Sequence, residues 1–186
     1  MKEEIYIITR NKGKLMAAEK VFSAYGIKVK QIDKDYPEIQ GKNSAEIAKF
    51  TALQAAKEFN VPVVREDHSL FITALAGFPG PYTNYFDKTI PVEILLKILN
   101  NFENRTAKME LAATLAFPDG TAKEFVYQVP LKLSLEIKGN EGNWDKILML
   151  ANENETFAEV TEESHVDIWT KNYVAIAKEL LKENNN

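Results

Sequence analysis

Thr9-Arg10-Asn11-Lys12-Gly13-Lys14 gathers hydroxyl, amide and ammonium groups around a glycine, directly after the apolar run Ile5-Tyr6-Ile7-Ile8. The chemistry such a cluster suits is phosphate binding. A helix N-terminus offers unpaired backbone N–H groups and the positive end of the helix dipole, Gly13 lets the backbone approach closely, and Lys14 adds charge. The spacing does not match the P-loop consensus. A second cluster, Glu66-Asp67-His68-Ser69, sets two carboxylates side by side. Adjacent carboxylates can share a Mg²⁺, a hard cation that prefers oxygen ligands, and one of them can take a proton from an attacking water. Glu38, in Pro37-Glu38-Ile39-Gln40-Gly41, is a third acid that becomes a metal ligand only if it reaches towards Asp67. Each cluster alone also reads as an ordinary solvated loop or charged strand end.

The elements that must position these groups follow from periodicity. Ile5–Ile8 reads as a buried strand, and Leu15, Ala18, Val21, Phe22 and Tyr25 follow at helical spacing until Gly26 stops the helix. Val29 to Ile32 reads as a second strand. Ser44 is placed to cap a helix reaching about Phe59, with Ile47, Phe50, Leu53 and Ala56 near one face. Val61 to Val64 forms a third strand that ends in Arg65-Glu66-Asp67, which puts the carboxylates at the sheet edge where α/β proteins bind ligands. Gly77-Phe78-Pro79-Gly80-Pro81 is a turn, and Pro91 opens a helix through Leu99. Longer strands over Lys108–Phe117 and Ala122–Ile137 flank the turn Pro118-Asp119-Gly120, and a last helix spans about Lys171 to Lys182 before a frayed tail, Asn184–Asn186. Strands alternating with helices, then a hairpin, indicate an α/β or α+β fold with a mixed sheet.

Composition narrows the class. With 186 residues, 45% hydrophobic and 27% charged, the chain suits one soluble domain, or one domain with a small lobe, around a substantial core. A net charge of −4 argues against a nucleic-acid binder. With no cysteine there is no disulfide, thiol nucleophile or thiolate metal site. No stretch approaches the ~18 apolar residues of a membrane span. Met1–Arg10 is not built like a secretory leader, so a cytoplasmic location is expected.

The order of the pieces is more specific than any one of them. Thr9-x-Asn11-x-x-Lys14, then Pro37-Glu38-x-Gln40-Gly41, Glu66-Asp67-x-x-Leu70 and Ala74-Leu75-x-Gly77-x-Pro79-Gly80-Pro81-Tyr82 resembles the inosine triphosphate pyrophosphatase family. Gly142-Asn143-Trp144-Asp145 and Thr156-Phe157-Ala158-Glu159 echo two later motifs, so the resemblance covers nearly the whole chain. It implies a single domain over residues 1–186 with an elongated, two-lobed α/β fold. A long, highly twisted mixed sheet would be flanked by helices, with a cleft between the lobes, usually in a homodimer. It implies hydrolysis of noncanonical purine nucleoside triphosphates to the monophosphate and pyrophosphate, with Mg²⁺ or Mn²⁺. Carried over by position, Thr9, Asn11 and Lys14 hold the triphosphate, with Arg10 in the same loop; His68, beside the proton acceptor, reads either as a phosphate contact or as a packing residue. Glu38, Glu66 and Asp67 serve the metal, and Asp67 is also the proton acceptor. Trp144 and Asp145 lie against the base, with Lys171 as a partial stand-in for a missing arginine.

The departures from the pattern cluster on the base side. The family's Ser-His-Arg near the C-terminus is replaced by Asp167-Ile168-Trp169-Thr170-Lys171, the lysine before Thr156 is Glu155, and the proline after Asp145 is Lys146. Two departures touch the phosphate side: Arg10 stands where a glycine is usual, and the lysine of the long helix aligns with Thr51. Lys49, two residues earlier, points about 200° away round a helix. A pyrophosphatase-type site with altered base specificity is expected, and Lys132, Lys146 or Lys171 remain open as replacements. The alternatives are a catalytically weakened nucleotide-binding or sensing protein and a structural interaction module on the same fold. His165 is expected at the surface. Tyr82, Tyr85 and Phe86 are expected in a core or a dimer interface.

Overall fold

The computed structural model describes residues 4–37 and 39–183. Glu38 and the expected frayed tail, Asn184–Asn186, lie outside the described residues. The chain runs β1 (Glu4–Ile8), α1 (Lys12–Ala24), β2 (Lys28–Ile32), α2 (Ser44–Phe59), β3 (Val63–Ile72), β4 (Pro79–Gly80), α3 (Thr83–Thr89), α4 (Val92–Leu99), β5 (Thr106–Ala116), β6 (Ala122–Leu133), β7 (Leu148–Leu150), α5 (Val166–Trp169) and α6 (Lys171–Glu183). The strands form a mixed sheet in the order β2-β1-β3-β5-β6-β7, with β4 added beside β3.

Two compact units are present: residues 1–67, 111–127 and 166–186 form the first, and residues 68–110 and 128–165 the second. In the first, β1 pairs parallel with β2 on one side and with β3 on the other. Its alternating residues feed two cores. Ile5, Ile7 and Val64 pack with Phe22 of α1 and Tyr173, Ile176 and Ala177 of α6. Ile8 and Val63 pack with Ala52, Ala55 and Ala56 of α2. The buried stripe of α2 is Ile47, Ala48, Thr51, Ala52, Ala55 and Ala56, not the Ile47-Phe50-Leu53-Ala56 face expected from size. Alanine lets a helix approach a sheet of Ile and Val closely, so the large residues fall to the flanks and Phe50 is partly exposed.

Several local signals act as expected and one is displaced. After α1, Gly26 adopts φ 74°, Ile27 N–H donates to the Phe22 carbonyl and Gly26 N–H to that of Ser23, the pair of hydrogen bonds of a Schellman cap. α2 is capped by Asn43, whose side-chain oxygen accepts from Glu46 N–H at 2.9 Å, and Ser44 is the first helical residue. Asn accepts as well as Ser at an N-cap, and the extended backbone of Asn43 puts it there first.

The larger correction concerns β3. It does not stop after Asp67 but continues to Ile72, because Ser69, Leu70 and Ile72 are buried and Leu70 and Phe71 pair antiparallel with Gly80 and Pro79 of β4. Glu66 and Asp67 therefore lie within a regular strand. The second unit buries Trp144, Leu95, Leu99, Leu131 and Leu148. Asn143 pins its turn by donating to the Asp87 and Ile90 carbonyls and accepting from Val92 N–H. Among the described residues, no helix is long and apolar enough to cross a membrane.

Candidate active site

β1 leads through α1 to β2 on one side, while β3 lies on its other side, so the carboxyl ends of β1 and β3 flank a topological switch point. Ligands of α/β sheets bind at such points. The register pairs Ile8 with Arg65, which carries the loop after β1 alongside Glu66.

The loop is held by its own polar groups. Thr9 is buried; its hydroxyl accepts from Asn11 N–H at 3.1 Å, and its carbonyl accepts from the Gln31 side chain at 2.8 Å. Asn11 is the N-cap of α1, its side-chain oxygen accepting from Lys14 N–H at 3.0 Å. Arg10 turns outward to solvent and pairs with Asp33 at 2.9 Å and with Asp35. These carboxylates hold the guanidinium pKa above its ordinary value, the Asp33 hydrogen bond contributing most. Thr9 and Asn11 thus hold the loop and the start of α1, and Arg10 is engaged on the outer side.

Lys14 is less exposed than a helix-start lysine would suggest, at 21% of its side chain. Its ammonium lies 3.7 Å from Glu66 Oε2 and 3.5 Å from the Glu66 carbonyl. Glu66 is itself 5% exposed. Its Oε1 accepts from Asn172 Nδ2 at 3.2 Å and its Oε2 from the Tyr173 hydroxyl at 3.0 Å. Burial first, then the charge of Glu66, pushes the Tyr173 hydroxyl pKa well above its ordinary value.

Successive side chains of a strand point to opposite faces. Val64 faces the α1–α6 core and Val63 the α2 core. Glu66 accordingly faces α6, and Asp67 falls on the side of Val63 and Arg65. The pleat thus opposes the expected sharing of one Mg²⁺ by both carboxylates. Arg65 shares the Asp67 face, its Nη1 donating to the Ile8 carbonyl at 3.3 Å.

In the second unit, Trp144 is 1% exposed, its indole N–H donates to the Ile90 carbonyl at 2.9 Å, and its backbone N–H donates to Asp87 at 3.0 Å. It is a core residue of that unit. Asp145 packs its carboxylate over Gly142, where an added Cβ would stand 2.2 Å from Oδ2. Desolvation, then the nearby Asp87 charge, raises the Asp145 pKa. His68 is half-buried on β3. His165 is mostly buried rather than at the surface, 2.9 Å from Glu153. Lys171 opens α6 and is exposed, whereas the next two residues turn inward. Lys49 is paired with Glu124 at 2.7 Å and Thr51 is buried. Tyr82 and Tyr85 are exposed, and the Phe86 ring meets that of Tyr85 edge-on and that of Phe78 at a tilt.

The residues that composition and spacing passed over are Gln31, Asn172 and Tyr173. Gln31 carries no readable signal in a short strand. Tyr173 does, since Tyr173, Ile176, Ala177 and Leu180 repeat at helical spacing from the start of α6.

A strand–loop–helix junction at a sheet switch point, with buried and half-buried carboxylates on the neighbouring strand, is an arrangement suited to phosphate in an α/β protein. The model of the Ham1 family matches residues 5–174, and the chain belongs to that family. It is 36% identical over 185 residues to a dITP/XTP pyrophosphatase of Methanopyrus kandleri, covering 92% of this chain and 98% of the relative. A dITP/XTP pyrophosphatase of Ignicoccus hospitalis is 34% identical over 185 residues, covering 97% and 98%. Among solved structures, the Ham1 protein of Staphylococcus aureus superposes with a TM-score of 0.81 at 26% identity, covering 99% of this chain and 100% of that one.

Proposed function

We propose that the protein hydrolyses nucleoside triphosphates bearing noncanonical purines, of the dITP and XTP class, to the monophosphate and pyrophosphate. The observation that carries the reading is Lys14: its ammonium is held on Glu66, at the start of α1 and one residue from Asp67 along β3. Two relatives covering nearly the whole chain are dITP/XTP pyrophosphatases, which supports the same substrate class.

In this reading the N–H groups at the start of α1 and the Lys14 ammonium hold the phosphate chain. Water attacks the α-phosphorus in line, its proton passes to the Asp67 carboxylate, and the bond to the β-phosphate oxygen breaks to release pyrophosphate. Among the described residues no group of three or more His, Asp or Glu side chains is gathered as a protein cage for a metal. Mg²⁺ does not need one, since one or two carboxylates with substrate phosphates and waters suffice. Because Glu66 is engaged by Asn172, Tyr173 and Lys14, Asp67 and Glu38 are the carboxylates that would hold Mg²⁺ or Mn²⁺. When bound, the ion supplies charge neutralisation on the phosphates.

Base specificity is altered in this reading, because Trp144 is spent in a core and the family's Ser-His-Arg is missing. A cytoplasmic homodimer with no nucleic-acid or membrane partner completes it. The test is pyrophosphate release from dITP, XTP, dATP and dGTP with Mg²⁺, and again with chelator. Metal-dependent release from at least one of them is expected. Binding of all four without release would favour a nucleotide-sensing protein instead.

A further inference from the structure

The carboxylate of Glu66 is buried, 5% exposed, on the α1–α6 side of β3. Its surroundings come from the start of α6. Asn172 is fully buried and donates to Oε1 at 3.2 Å; Tyr173, 1% exposed, donates to Oε2 at 3.0 Å. An ionised carboxylate in such a place is tolerated only when hydrogen bonds and an opposite charge replace water. The two α6 residues supply neutral donors, and Lys14, 3.7 Å from Oε2, supplies the charge. The Tyr173 hydroxyl keeps its proton throughout the neutral range, since burial and Glu66 push its pKa well up. It is a permanent donor.

The geometry has a direction. Asn172 and Tyr173 fix the carboxylate from the α6 side. The ammonium of Lys14, tethered at the start of α1, meets both the carboxylate and the carbonyl of the same residue. A lysine has four rotatable bonds and an unconstrained head, so holding that head at one point lowers the ordering cost of binding an anion there. The ring of Tyr173 is packed separately, 5.9 Å from that of Phe22, so its hydroxyl can be removed while its packing stays.

We infer that Asn172 and Tyr173 are positioning residues for phosphate binding: they fix Glu66, Glu66 fixes Lys14, and triphosphate affinity depends on two buried residues of the C-terminal helix. The inference rests on the proposed function for the nature of the ligand. It assigns Glu66 to the loop rather than to the metal.

The test is Tyr173→Phe in the full chain. It would be followed by dITP hydrolysis kinetics with Mg²⁺ and by calorimetric titration with inorganic tripolyphosphate. Loss of a hydrogen bond to a charged group should raise KM by about tenfold, leave kcat within about twofold, and weaken tripolyphosphate by the same factor as KM. In a Lys14→Ala background the same substitution should have no further effect, because the group it positions is gone. A role in packing alone predicts a lower melting temperature with unchanged affinity, or equal losses in both backgrounds, and either result overturns the inference. Asn172→Ala carries the same prediction should Tyr173→Phe not fold. If the wild-type protein releases no pyrophosphate, the functional reading fails, while the tripolyphosphate titrations still decide the positioning role.

Discussion

Replacing Asn11 separates the two jobs assigned to the loop after β1. Asn11→Ala removes the oxygen that accepts from Lys14 N–H at 3.0 Å, leaving the backbone bond from Leu15 N–H to the Asn11 carbonyl in place. An N-cap of this kind contributes about 1 kcal/mol, which for a domain of this size shifts the melting temperature by roughly 2–4 °C. Asn11→Asp keeps the acceptor and adds a favourable charge at the helix N-terminus, so its melting temperature should equal or slightly exceed that of the wild type. The same charge opposes a triphosphate. Two unit charges about 4 Å apart interact by about 1 kcal/mol in water and about 4 kcal/mol at a protein surface, so an exposed loop position should raise KM by at least about fivefold. Thermal unfolding by circular dichroism reads the first effect and pyrophosphate release reads the second. An Asn11→Asp protein with wild-type KM would refute phosphate binding at this loop, and an Asn11→Ala protein with an unchanged melting temperature would refute the cap.

Asp67→Asn should fold normally by circular dichroism but lose at least ~10²-fold in turnover, because the proton acceptor is gone; turnover near the wild-type value removes Asp67 from that role. The Asp145 pKa is raised in the folded state, so the stability linked to it is present below the ordinary aspartate pKa and is lost as pH rises through the folded value. Asp145→Asn should therefore raise the melting temperature at pH 7 and leave it unchanged near pH 4, and a loss at pH 7 contradicts this. Gly139 has φ 79°, and an added Cβ would stand 2.4 Å from the Ala158 carbonyl oxygen. Gly139→Ala should cost at least about 2 kcal/mol and lower the melting temperature by roughly 4–8 °C, measured by calorimetry.

The readable part of the fold was what repeats. Ile5–Ile8 and the α1 spacing ending at Gly26 fixed the first strand–loop–helix, and with it the loop that binds phosphate in the proposed reading. Three things were not readable, each for a physical reason. The charged stretch Arg65-Glu66-Asp67 looks like a strand end, while the continuation of β3 depends on β4, a partner of two residues. The α2 face was misjudged because side-chain size marks hydrophobic strength but not closeness of packing, which alanine controls. The surroundings of Glu66 come from Asn172 and Tyr173, more than a hundred positions away, and no local spacing reports a contact of that range.

The two adjacent acids show why a motif is less than a site. On paper Glu66 and Asp67 are a matched pair, and a loop would let both turn to one cation. A strand does not, because its pleat sends neighbours to opposite faces. Once β3 is extended to Ile72, the pair must divide its labour. Glu66 goes to the side of α1 and α6, where Tyr173, Asn172 and Lys14 surround it; Asp67 goes to the other, with Arg65 and the α2 layer. The segment that in the family pattern would carry an arginine for the base here starts α6 with an exposed Lys171 and two inward residues that grip Glu66. Changes at the C-terminal end thus reach the phosphate side through Glu66. On this account triphosphate affinity should respond to Asn172 and Tyr173, while Lys171, exposed at the start of the same helix, is free of that task.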